Sequence, residues 1–162
     1  MEALILSTVR YCLEIWGQRD GVQHTVQVAM NGAMRTFLNV KDTQTPVEDL
    51  LRWADWLSVP NMWRNQVIFT MHRVMDTKIP ETVWWFFETA HTHQHNTRGG
   101  NAGFKLAWNP KTEAGTEAVV NQGRQIMTEA RLTHGSKHGM EKAEYKAMVK
   151  ATLISVFGNK NA

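Results

Sequence analysis

The chain contains 162 residues, 43% hydrophobic and 20% charged, so it can bury one sizeable core and is too short for two ordinary domains. No apolar run approaches the roughly 18 to 20 residues of a membrane span, and Glu2, Arg10 and Glu14 interrupt the first segment. We therefore expect no signal peptide, anchor or membrane partner. The single Cys12 cannot form an internal disulfide, which favours an intracellular, reducing compartment (nucleus, cytoplasm or an organelle).

Positive charge is concentrated in the second half of the chain. Residues 1–88 hold 8 Lys/Arg against 10 Asp/Glu, giving −2, whereas residues 89–162 hold 10 against 5, giving +5. A basic segment suits a polyanionic partner, because neutralised phosphates release counterions. The alternative is a soluble protein with a basic end.

Apolar periodicity predicts three helices before residue 60. The first runs through Leu4 to Trp16, and Gly17 follows where a C-terminal cap belongs. The second extends from about Val22 to Leu38; its apolar side is formed by Val26, Met30, Ala33, Met34 and Phe37. The third begins at Thr45 and Pro46, with Glu48 completing a capping box, and ends near Leu57.

The rest of the chain predicts further helices around one long loop. Pro60 opens a fourth helix that lasts until Thr77, and Pro80 opens a short aromatic fifth helix. Periodicity fails over residues 89–110, returns over residues 117–132, and ends in a helix from about Met140 to Phe157. The predicted class is mainly α, a single helical domain of about six to seven helices with one long basic loop.

Three stretches carry a resemblance to a known family. They are Ala3–Gly17, which ends in Tyr-Cys-Leu-Glu-Ile-Trp-Gly, Leu50–Pro80 with Trp-Leu-Ser-Val at residues 56–59, and His95-Asn96-Thr97-Arg98. In order and separation they resemble the region that lies after the palm in non-LTR (LINE-type) retrotransposon reverse transcriptases. The stretch from Tyr145 to Lys150 is similar to that family's Phe-Lys-x-x-(Leu/Val)-Lys helix. The sequence departs from the family at its Gly-x-x-x-Trp-Asn-x-Leu-Pro element, of which residues 123–131 keep only Gly123.

The resemblance implies the helical thumb and the C-terminal region after it, which grip a primer-template duplex by its backbone. Residues 1–88 would form a thumb-like helical bundle, residues 89–111 a long basic, histidine-rich loop, and residues 112–162 a C-terminal basic helical segment. The family's catalytic carboxylates lie upstream in a (Tyr/Phe)-x-Asp-Asp motif, and this sequence has no Asp-Asp pair. We therefore expect no polymerase activity and no cofactor.

Cationic residues on two predicted helices are candidate phosphate contacts. Arg35 lies on the second helix, where the family's thumb helix often carries a basic residue; the alternative is a surface arginine that packs its stem on the core. His138, Lys142, Lys146 and Lys150 are four residues apart, which aligns them on one helix face. Glu141 and Glu144 flank this row, and the alternative is an ordinary solvated face.

The long loop contains a second group of candidates. Arg98, Lys105, Trp108 and Lys111 are predicted to contact nucleic acid, with Trp108 as a base-stacking residue. The alternative is a turn built by Asn96 and Thr97. His91, His93 and His95 alternate along the chain and are weak candidates for a zinc site, because no cysteine or second histidine pair supports them.

The remaining aromatic residues favour a structural role. Six tryptophans at helix-face positions are interpreted as core residues: Trp16, Trp53, Trp56, Trp63, Trp84 and Trp85. The leading hypothesis is a non-catalytic module that binds RNA, DNA or an RNA-DNA hybrid. The alternatives are a structural subunit of a ribonucleoprotein or other assembly, with protein partners, and a newly acquired enzyme with His72 or His93 as general base.

Overall fold

The computed structural model of the protein describes residues 2–11, 13–78, 119–132 and 139–159. Within these ranges the chain forms seven helices and no strand, so the predicted mainly α class is confirmed. The helices are α1 (Glu2–Arg10), α2 (Leu13–Trp16), α3 (Asp20–Leu38), α4 (Val47–Ala54), α5 (Val59–Thr77), α6 (Val119–Glu129) and α7 (Lys142–Phe157). None of these described helices combines the length and hydrophobicity needed to cross a bilayer. The helix expected at Pro80 and the loop expected over residues 89–110 lie outside the described residues. The same holds for the two expected boundaries between segments, at residues 88/89 and 111/112.

The first predicted helix is divided in two. α1 ends at Arg10, and the single turn of α2 begins at Leu13. The indole N–H of Trp16 donates a hydrogen bond of 2.7 Å to the main-chain oxygen of Tyr11. The Trp16 side chain therefore satisfies this carbonyl between α1 and α2. Gly17 follows α2 as expected, and its N–H bonds to the carbonyl of Leu13 at 2.8 Å.

The capping box predicted for α4 is wrong. Pro46 itself is the N-cap residue, and no side chain caps that end of the helix. The hydroxyl of Thr45 instead donates to Asp42 Oδ2 at 3.0 Å, which stabilises the preceding loop. α4 also ends at Ala54, earlier than predicted, because Asp55 adopts a left-handed conformation with φ of 56°. Aspartate is one of the few residue types that enters this region at low cost.

The described residues group into two compact units, Met1–Gln66 with Lys150–Ala162, and Val67–Val149. In the first unit α3 packs on α1 and α4. Its core combines residues from α2 to α5 with one from α7: Leu13, Met30, Met34, Leu50, Leu51, Trp56, Leu57, Val59, Met62, Trp63 and Leu153. Buried polar side chains of α3 lie beside this apolar core, and they determine how α5 begins.

Gln27 of α3 supplies a hydrogen bond that α5 cannot make for itself. The first amides of a helix have no partner within it. Gln27, which is 2% exposed, accepts the N–H of Val59 at 2.6 Å and donates to Asn31 Oδ1 at 2.9 Å. One buried amide therefore fixes the start of α5 against α3.

The residues after α7 bind the same end of α5. Asn159 accepts the N–H of Ser58 at 2.8 Å and donates to the main-chain oxygen of Trp56 at 3.0 Å. Asn61 donates to the main-chain oxygen of Gly158 at 2.6 Å, and Gly158 has a φ of 69°, which favours glycine. These three bonds join the beginning of α5 to the end of α7 within the first unit.

The second unit packs the later part of α5 against α6 and α7. Its buried apolar residues are Val67, Ile68, Met71, Val74, Met75, Ile126, Met127, Ala130, Leu132, Tyr145 and Val149. Gly123 allows α6 to approach α5 closely, because a Cβ at this position would lie 2.7 Å from Met71 Sδ and nearer still to its Cγ. Gly123 thus has a packing reason in this fold.

Candidate nucleic-acid interface

Four of the nine predicted nucleic-acid contacts lie in the described part of the chain: Arg35, Lys142, Lys146 and Lys150. The other five lie outside the described residues, as do the three weak metal candidates: Arg98, Lys105, Trp108, Lys111 and His138, with His91, His93 and His95. Their roles stay predictions. Within the described ranges, no group of three or more histidine, cysteine, aspartate or glutamate residues is placed to hold a metal ion.

Arg35 is engaged by the loop between α3 and α4. Its Nη2 donates to the main-chain oxygens of Thr43 at 3.4 Å and Thr45 at 3.3 Å, and the side chain is half-buried. These bonds hold the loop against α3, which supports the structural interpretation of this residue. A phosphate contact by Arg35 stays a prediction.

Lys150 is paired within the first unit. Its Nζ lies 2.6 Å from Asp55 Oδ1 and donates to the main-chain oxygen of Asp55 at 2.7 Å. Asp55 ends α4, where unsatisfied carbonyls attract a cation. The ammonium is therefore bound to α4 by charge and by a main-chain hydrogen bond, so its charge is neutralised locally.

Lys142 and Lys146 differ from Lys150 because their ammonium groups are accessible. Both side chains are exposed, and their spacing on α7 places them on one helix face. Arg73 of α5 is also exposed. Among the described residues, none of these three side chains makes an ion pair or a hydrogen bond. The second unit therefore presents three exposed cations that form no ion pair with a described residue.

A pocket of about 350 Å³ lies beside two of these cations in the second unit. α5 lines it with Phe69, His72, Arg73, Asp76 and Thr77. Met140, Lys142 and Tyr145 line it from the other side. Arg73 and Lys142 thus belong to one concave site, although they are far apart in sequence.

A buried pair, His72 and Tyr145, forms part of the pocket wall. The Tyr145 hydroxyl and His72 Nε2 are hydrogen-bonded, and the two residues are each 3% exposed. The ring of Phe69 meets that of Tyr145 edge to face, with 5.9 Å between centroids. Burial, and secondarily the negative charge of Asp76, raise the pKa of Tyr145 to about 12. The phenol therefore keeps its proton at neutral pH.

The hydrogen bond between Tyr145 and His72 is also relevant to the hypothesis that His72 acts as a general base. A general base must reach the proton that it removes from a substrate. In this protein the Nε2 atom of His72 is directed at Tyr145 and the side chain is buried, which is the arrangement of a structural histidine.

Sequence reasoning missed Arg73, Asp76 and Tyr145 as members of this pocket. The sequence carries no signal for Arg73 and Asp76, which lie on a helix identified by its apolar stripe. Tyr145, Val149 and Leu153 do recur at helical spacing and are all buried, so their burial was predictable from periodicity. The hydrogen bond between Tyr145 and His72, which lies 73 residues away, was not predictable from periodicity.

No protein family model, no curated protein and no solved structure matches this chain.

Proposed function

We propose that the protein is a non-catalytic nucleic-acid-binding module that contacts the phosphate backbone of RNA, DNA or an RNA-DNA hybrid. The contacts are made by Arg73, Lys142 and Lys146 of the second unit. This assignment follows the resemblance to the thumb and C-terminal region of LINE-type reverse transcriptases, and it shifts the proposed surface from the whole lysine row to these three residues.

The observation that carries the proposal is the availability of these cations. A lysine or arginine that is already paired must break that pair before it binds a phosphate, which lowers the net gain. Lys150 is paired with Asp55, and Arg52 lies 2.7 Å from Asp49 Oδ1, whereas Arg73, Lys142 and Lys146 have no described partner. Phosphate contacts of this kind fix the position of a strand without reading its sequence.

The test is a salt titration of binding to blunt RNA, DNA and hybrid duplexes. The variant carries Arg73→Gln, Lys142→Gln and Lys146→Gln. The matched control carries Arg10→Gln, Arg19→Gln and Lys41→Gln, which removes the same charge from exposed positions of the first unit. Each lost phosphate contact reduces the slope of log K against log salt by roughly 0.7 to 0.9. The variant with the three substitutions in the second unit, the site variant, should therefore have a slope that is shallower by about 2 to 3.

The control should keep the slope of the original protein. Lys150→Gln should lower stability and leave the slope unchanged, since its ammonium is bound to Asp55. Equal losses in the site variant and the control would mean that net charge alone drives binding. Absence of binding at low salt by a folded protein would overturn the proposal.

The second candidate function is a structural subunit of a ribonucleoprotein or other assembly. It is favoured by exposed apolar side chains in the first unit, where Trp53 is 55%, Val28 56% and Phe37 41% exposed. Apolar groups at a surface often mark protein contacts. This function predicts that the triple glutamine variant of the second unit still enters the assembly, whereas Trp53→Ser does not.

A further inference from the structure

The pocket beside Arg73 and Lys142 has a lining that phosphate binding alone does not require. Backbone contacts need cations on an accessible surface. This pocket adds two rings and a thioether, from Phe69, Tyr145 and Met140, and its walls are mainly apolar. A ligand that fills it must therefore carry a flat or apolar part as well as an anionic part.

The size of the pocket limits that ligand to one small unit. Its volume of about 350 Å³ lies near the lower end of the range for small-molecule sites, roughly 300 to 1,000 Å³. A duplex or a protein helix does not enter such a space. A single nucleotide combines an aromatic base of suitable size with the anion that the rim attracts.

We propose that this pocket binds one unstacked nucleotide, with its base against Phe69 and Met140 and its phosphate between Arg73 and Lys142. The inference rests on the proposed function, because the nucleotide is taken to be an unpaired end or loop of the bound strand. Base stacking on aromatic side chains is tolerant of sequence, so all four bases are accepted.

The wall of the pocket is held in place before any ligand arrives. The hydrogen bond between His72 and Tyr145 fixes the Tyr145 ring, and Phe69 packs against that ring edge to face. A rigid wall reduces the ordering cost of binding. A base within a duplex is inaccessible unless it is extruded, so the pocket should discriminate between paired and unpaired ends.

The first experiment compares a blunt duplex with the same duplex carrying a short single-stranded end. Stacking of one base contributes about 1 to 3 kcal/mol, so the original protein should prefer the single-stranded end by roughly 5-fold to 150-fold. Phe69→Leu should abolish that preference and leave blunt-duplex affinity unchanged, because Arg73 and Lys142 remain. Phe69→Trp should retain the preference, and Phe37→Leu, at an exposed ring of the first unit, should have no effect.

The second experiment uses free nucleotides and follows the methyl resonance of Met140, assigned by its loss in Met140→Leu. Nucleoside 5′-monophosphates should shift this resonance, whereas ribose 5-phosphate and an uncharged nucleoside should bind at least about tenfold more weakly, since each lacks one of the two recognised parts.

The outcomes separate the two proposals. Blunt-duplex binding with no gain from a single-stranded end and no shift at Met140 would overturn the pocket assignment and leave the proposed function standing. A Met140 shift with monophosphates, without binding of any strand, would overturn the proposed function and identify the pocket as a site for free nucleotides.

Discussion

Gln27 offers the sharpest test of how the first unit is held together. Its side-chain amide bonds to Val59 and Asn31, and it is 2% exposed. Gln27→Met keeps the length and approximate volume of the side chain but removes both hydrogen bonds. The N–H of Val59 and the Oδ1 of Asn31 then lose their partner in the interior.

The magnitude depends on two opposing effects. A buried polar group without a partner costs about 1 to 3 kcal/mol, and the substitution creates two of them. The buried thioether gains about 1.5 to 3 kcal/mol by leaving water. The loss is the larger effect, so we expect the free energy of unfolding to fall by about 1 to 3 kcal/mol, which lowers Tm by about 2 to 4 °C per kcal/mol in a chain of this size.

The assay is urea unfolding followed by circular dichroism, with Asn31→Ala completing a double-mutant cycle. In the Asn31→Ala background the substitution at Gln27 leaves one orphan group instead of two, so it should cost about 1 kcal/mol less. Additive effects of the two substitutions, or a Gln27→Met protein as stable as the original, would refute the assignment of Gln27 as the partner that begins α5.

Two further predictions concern the second unit. Because the folded pKa of Tyr145 is raised from 10.0 to about 12, the stability linked to its protonated form is complete below pH 10 and is lost as the pH rises through 12. Between these values the original protein should lose up to about 2 kcal/mol more than Tyr145→Phe in urea unfolding at each pH, whereas parallel curves would contradict this linkage. Gly123→Ala should destabilise by about 1 to 2 kcal/mol in thermal unfolding despite its better helix propensity, because the new Cβ meets Met71. Gly32→Ala is the control, since a Cβ there meets nothing within 4 Å and should stabilise by roughly 0.5 to 1 kcal/mol; similar effects at both glycines would disprove the close contact.

Local signals predicted the positions of the longer helices well. α3, α5 and α7 begin within about two residues of the predicted positions, and all three end where predicted, at Leu38, Thr77 and Phe157. Apolar periodicity and a proline at a helix start are signals within a single helix, so the sequence alone is sufficient to predict the positions of these helices. The left-handed residue Asp55, which shortens α4, has no comparable local signal.

The buried face of α3 was predicted only in part. Met30 and Met34 are buried as expected, but Phe37 is 41% exposed, and Gln23 and Gln27 are buried in its place. Glutamine is tolerated inside a protein when its amide is bonded. The partners of these two residues are the Gly17 carbonyl and the Val59 amide, and nothing in the sequence of α3 reveals them.

The tryptophans illustrate the same limit. Trp56 and Trp63 are buried as predicted, whereas the prediction for Trp53 is wrong because it is 55% exposed. α4 has only eight residues, and it buries Leu50 and Leu51 rather than Trp53. Trp84 and Trp85 lie outside the described residues, so their burial stays a prediction.

The spacing of the lysine row was visible in the sequence, but the state of each lysine was not. Lys150 and its partner Asp55 are 95 residues apart. Such pairs depend on how helices pack, and helix packing decides which cations stay available to a ligand. The sequence pattern alone therefore does not separate Lys150, which is paired with Asp55, from Lys142 and Lys146, which form no ion pair with a described residue.

The joining of α5 to the end of α7 has a consequence for synthesis on the ribosome. The first unit needs Leu153, Gly158 and Asn159 for its core and its hydrogen bonds, yet the residues from Val67 to Val149 are translated before them. At about 5 to 20 residues per second, this delay is on the order of ten seconds. During that time the nascent chain holds Trp56 and Leu57 without their final neighbours, so chaperones that bind apolar segments have a defined interval in which to act.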